Sequence, residues 1–119
     1  MSLARGGKAS PESHCPLPSN YLRVWYSTDS DKPVAGGITD RRRIADSLID
    51  CGALIGLTRQ RAQDLLGLPA KTFQNGIRYY DLGPEGTTDS PQDNDLSLHF
   101  SDRSPPARVD RAVLVRFGP

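Results

Sequence analysis

Apolar side chains recur at helical spacing between Thr39 and Pro69, and at every second position from Gly76 onward. In the first region Ile44, Ala45, Leu48 and Ile49 fall at i, i+1, i+4 and i+5, a single stripe along a helix. Thr39 precedes them as an N-cap type whose hydroxyl can accept an orphan backbone N–H, and Asp40 suits the positive helix end. Gly52 is the natural stop, so a helix is predicted near residues 39 to 51. A second is predicted near 58 to 67. Thr58 caps it, Leu57 is placed to staple onto Ala62, and Ala62, Leu65 and Leu66 form its buried stripe. Gly67 followed by Pro69 ends it.

Three alternating segments follow, "GIRYYDLG", "DLSLHFSD" and "RAVLVRFG", separated by turn-rich loops, and each reads as a strand. The aromatic and β-branched run from Tyr21 to Ser27 has the content of one further short strand. Residues 1 to 20 are rich in Ser, Pro and Gly and read as a flexible arm, with a single domain from 21 to 119. The fold class this implies is α+β: two N-terminal helices on one face of a three-stranded antiparallel sheet (ααβββ), with an extra N-terminal strand as an option. The expected core is Leu48, Leu65, Leu66, Leu98, Phe100, Val113, Val115 and Phe117. The opposite sheet face would then carry Arg78, Tyr80, His99 and Arg116, with Ser97, Ala112 and Leu114 among them. In the first strand Ile77/Tyr79 and Tyr80/Leu82 compete for the core.

Composition narrows the function classes. The 119 residues suit one modest core. A net charge of +1 lacks the basic excess through which duplex binders neutralise phosphate, although "DRRRIAD" is locally basic. No apolar run is long enough to span a bilayer, and the first twenty residues contain no signal-peptide h-region. Cys15 and Cys51 lack metal or redox spacing. They would pair in an exported protein; otherwise Cys51 is a small buried residue beside a helix end. With His14 and His99 they do not form the close ligand pairs of a zinc site. There is no G-x-S-x-G elbow and no Gly-rich phosphate loop, so neither catalysis nor a cofactor or metal is expected.

The run "RRRIADSLIDCGALIGLTRQRAQDLLGLP", continued by "YYDLG" and "LSLHFSD", resembles the SmpA/OmlA family, also called BamE-like, of small bacterial envelope lipoprotein domains. The resemblance covers roughly two thirds of the chain. It implies a small α+β scaffold that binds other proteins, in the bacterial envelope or exported. Glu12-Ser13-His14 before Cys15 departs from the small-residue approach to a lipidated cysteine, so no lipid anchor is implied. The expectation is thus a non-enzymatic protein-binding domain whose partner contacts lie at Arg78, Tyr80, His99 and Arg116. The alternative is a winged-helix regulator binding nucleic acid. Against it, the connector Gly52 to Leu57 is longer than the three or four residues that join DNA-reading helices.

Overall fold

The computed structural model describes residues 15–32, 38–72, 76–85, 92–101 and 107–117. They form an α+β fold of helices α1 (Tyr21–Trp25), α2 (Asp40–Asp50) and α3 (Arg59–Leu66), and strands β1 (Lys71–Thr72), β2 (Arg78–Glu85), β3 (Gln92–Ser101) and β4 (Arg108–Phe117). All four strands are antiparallel neighbours in the order β1-β2-β3-β4. No described helix is long and apolar enough to cross a membrane.

The segment expected as an N-terminal strand is helix α1. A strand would put Tyr21, Arg23 and Trp25 on one face, so burying both rings would also bury the arginine. In a helix Tyr21 and Trp25 share a face while Arg23 turns outward. That is the observed arrangement, with the two rings buried and Arg23 exposed. Part of the expected arm is docked as well. Cys15 is buried and forms a disulfide with Cys51 at the end of α2, and Leu17 packs against the core.

Helices α2 and α3 follow their sequence signals. The Thr39 hydroxyl accepts from the Arg42 N–H at 3.0 Å and itself donates to the Leu82 carbonyl, tying the start of α2 to β2. Thr58 accepts from the Arg61 N–H at 3.1 Å. Ile44, Ala45 and Leu48 of α2 and Ala62 and Leu66 of α3 are buried, whereas Leu65 is only half-buried against the core. Gly67 ends α3 at φ +85, a conformation that favours glycine.

The last turn of α3 carries no basic residue to meet its orphan carbonyls. Aromatic donors take that role. Tyr26 Oη donates to the Leu65 carbonyl at 2.8 Å, Trp25 Nε1 to Leu66 at 3.0 Å and Tyr80 Oη to Gly67 at 2.8 Å. Burial raises the pKa of Tyr80 and of Tyr26 above the ordinary 10.0. Arg78 opposes the shift at Tyr80 by its charge and a hydrogen bond, and the Arg41 charge opposes it at Tyr26. A phenol with a raised folded pKa favours the fold fully below its unfolded value. That contribution is lost as pH climbs through the folded value. Melting temperature should therefore hold up to pH 10.0 and fall above it, with Tyr80→Phe making the alkaline decline shallower. Thermal melts across this range, paired with phenolate absorbance, check it; a decline equally steep in Tyr80→Phe would detach it from Tyr80.

The ladder register decides which rows face the helices. Tyr80 is opposite Leu96 and Arg78 opposite Leu98, while Leu96 faces Leu114 and Leu98 faces Ala112. Tyr80, Leu96 and Leu98 are buried, and Ala112 and Leu114 pack against them. This corrects the expected phase of β4: Val113 and Val115 belong to the other row, opposite Ser97 and Asp95, and are half-buried outside the core. Phe100 is also only half-buried, and the expectation for Phe117 falls on a side chain outside those described. In β2 the register shifts between Asp81 and Gly83. A Cβ on Gly83 would lie 2.1 Å from the Asp31 carbonyl oxygen, so glycine is what lets that loop press against the strand.

Candidate interaction face

The four residues expected to share an outer surface do not. Tyr80 is a core residue, its ring 6.4 Å from that of Trp25. Arg78 lies on the helix side as well. Its guanidinium stands 5.3 Å from the Phe100 ring centroid, with Arg59 at 4.5 Å from the same ring, and its Nη1 donates to the Arg59 carbonyl at 3.4 Å. Arg116 is opposite Asn94, in the row that continues Leu96 and Leu114. His99 alone projects to the opposite face.

That face is built by the alternation of β2, β3 and β4 away from the helices. Asp81, Asp95 and Val115 form one row across the strands, Tyr79, Ser97 and Val113 the next, and His99 and Arg111 the third. The exposed Asp81 and the buried Asp95 thus share one end with Val115, imidazole and guanidinium hold the other, and Tyr79, Ser97 and Val113 lie between them. Tyr79, Val113 and Val115 remain half-buried, and none packs against the core. No described helix lies on this side. Ser97 is fully buried despite belonging to the face, because larger neighbours on both flanking strands shoulder a small side chain on the central one. Its Oγ lies 3.1 Å from His99 Nε2. A serine–histidine pair needs an accessible nucleophile and a third group to orient the imidazole. Here the hydroxyl is covered, and among the described residues no carboxylate hydrogen-bonds to His99. The pair fixes the imidazole on the sheet.

On the helix side, a cleft of about 310 Å³ lies between the disulfide-tethered arm and helices α1 and α2. Pro16, Leu17, Tyr21, Val24 and Ile44 supply its apolar lining, with Asp40, Arg43 and Ser47 contributing polar atoms. Among the described residues, no three His, Cys, Asp or Glu side chains gather in a way that could hold a metal ion.

Protein-family models, curated protein sequences and solved structures were compared with the chain, and none matches.

Sequence reasoning missed Tyr79, Arg111, Val113 and Val115. The signal that could have found them is the β3 pattern itself. Leu96 and Leu98 claim the core, and whichever β4 residues stand opposite must follow them. Within β4 alone the alternation allows either parity, and side-chain size favours Val113, Val115 and Phe117 over Ala112 and Leu114, the opposite of the observed phase.

Proposed function

We propose that the chain is a non-catalytic protein-binding domain that docks partners through the helix-free face of its sheet. The observation that carries this reading is the half-buried trio Tyr79, Val113 and Val115, flanked by the exposed Asp81 at one end and by His99 and Arg111 at the other. An apolar centre with an aromatic anchor and a charged rim is the usual anatomy of a protein-recognition patch. The observed order of three helices and then four strands departs from the ααβββ order that the BamE-like resemblance implies, and what supports a scaffold of that type is the shared α+β class. The Cys15–Cys51 disulfide favours an oxidising compartment, and hence the bacterial envelope or an exported location. Arg59, which a winged-helix reading would turn toward a duplex, is instead occupied by the Phe100 ring and the Gly76 carbonyl.

Capture of partners from a bacterial envelope extract tests the assignment. Tyr79→Ala with Val113→Glu should remove them, since losing a hot-spot side chain costs about 2 kcal/mol or more, over tenfold in affinity. Leu68→Ala, at an exposed position beyond α3, should leave recovery unchanged. Equal recovery by the double variant and the native chain would rule the face out.

A further inference from the structure

Three arginines follow one another at the start of α2, and the fold uses them unequally. Arg41 Nε donates to the Trp25 carbonyl and to Ser30 Oγ, both at 3.0 Å, and its Nη1 donates to the Asp81 carbonyl at 3.0 Å. Arg42 meets both carboxylate oxygens of Asp46 at 3.2 Å. Arg43 is exposed, and no carboxylate or carbonyl among the described residues meets its guanidinium. It stands instead on the cleft between the arm, α1 and α2. Asp40 lines the same cleft, and among the described residues no cation pairs with its carboxylate. Residues three apart on a helix are neighbours, with roughly 5–6 Å between their Cβ atoms. Asp40 and Arg43 are so placed, yet they form no ion pair with each other.

The rest of the cleft is mostly apolar. Pro16, Leu17 and Pro18 make one wall. A proline has no N–H, and that of Leu17 donates to the Cys15 carbonyl at 2.8 Å, so this wall turns no backbone donor toward an occupant. It is held at both ends, by the Cys15–Cys51 bond and by the Tyr21 N–H on the Pro18 carbonyl at 3.1 Å. Val24, Ile44 and the Tyr21 ring face it. A wall fixed before a ligand arrives lowers the ordering cost of binding. The volume of about 310 Å³ lies at the low end of the roughly 300–1,000 Å³ typical of small-molecule sites, so the occupant is small.

We propose that this cleft binds a free α-amino acid with an apolar side chain. The ammonium meets Asp40, the carboxylate meets Arg43, and the side chain enters between the arm and α1. Charge selects this class. A simple acid would bring its carboxylate beside Asp40, and a simple amine would bring its charge beside Arg43; like charges so juxtaposed are costly. An α-amino acid carries both charges on one carbon and satisfies both residues together. Ser47, one turn beyond Arg43, adds a hydroxyl to the polar side of the cleft. A polar ligand side chain would be desolvated against the proline wall without a partner, so the apolar ones are preferred. The site lies on the helix side of the sheet, and stands whether or not the open face binds another protein.

Isothermal titration calorimetry of the full chain with L-leucine and L-phenylalanine tests it, with circular dichroism to verify folding of each variant. Both should bind saturably at one site, and glycine far more weakly. The N-acetylated acids and the decarboxylated amines should each lose at least about tenfold in affinity, the usual loss with a charge-assisted hydrogen bond. Arg43→Gln should weaken the amino acids by a similar factor and leave the amines unchanged. Asp40→Asn should weaken the amino acids and leave the N-acetylated acids unchanged. Arg61→Gln, at an exposed position on α3, should bind as the native chain does. The absence of saturable binding by either amino acid overturns the proposal. So does an acid or amine analogue that binds as tightly as its parent, or a loss in Arg61→Gln equal to that in Arg43→Gln.

Discussion

Trp25→Ala should destabilise the domain by about 3–5 kcal/mol, the usual cost of deleting a buried large aromatic ring. The side chain is fully buried in the helical layer and serves several neighbours at once. Its Nε1 donates to the Leu66 carbonyl at 3.0 Å, the Arg41 guanidinium lies 4.6 Å from its ring centroid, and Tyr80 packs beside it at 6.4 Å. Its carbonyl accepts from Ser30 Oγ at 2.8 Å and Arg41 Nε at 3.0 Å, bonds that the substitution leaves available. Trp25→Phe separates the contributions, since it keeps most of the volume and deletes the donor. Leaving the Leu66 carbonyl buried without that donor should cost about 1–3 kcal/mol. A domain of this size has about 5–15 kcal/mol in all, so the alanine variant should lose a large share of its denaturant midpoint. A shift of only a few tenths would show that α1 is not docked as described.

Removing the Cys15–Cys51 bond ranks next. The cysteines are 36 residues apart, so the bond closes a long loop in the unfolded chain, and losing it should cost about 2–4 kcal/mol. Melting temperature should fall on adding a thiol reductant, and a Cys15→Ser, Cys51→Ser double variant should melt at the reduced value with or without reductant. Protease cleavage of the reduced chain should begin around Pro16 to Pro18, because the bond pins one wall of the cleft. Identical melting of the two forms would mean the bond constrains nothing.

The helices whose ends are marked locally were legible. Thr39 and Thr58 cap in practice as their chemistry suggests, and Gly67 stops α3 where expected. The stretch Tyr21–Trp25 was not, because its composition suits a strand. Its helical form is set by where Arg23 must point and by an indole donor whose acceptor lies 41 residues downstream. The strands could be read but their faces could not. A register shift between His99 and Phe100, opposite the start of β4, breaks simple counting along that strand. Tyr80 and Arg78 left the expected surface for a related reason. Both can reach acceptors on α3 only from the helix side, at the Gly67 and Arg59 carbonyls, and neither contact leaves a trace in local spacing.

The ring donors at the end of α3 also constrain the order of events during synthesis. Tyr26 and Trp25 precede the carbonyls they meet by 39 and 41 residues, while Tyr80 follows its own by 13. An eight-residue helix is too short to persist alone in water. As the chain leaves a ribosome, α3 can gather two of its donors from segments already made, yet it waits for β2 to deliver the third. Its final turn is thus completed only when the first full-length strand of the sheet arrives, and the helical layer cannot mature ahead of the sheet beneath it.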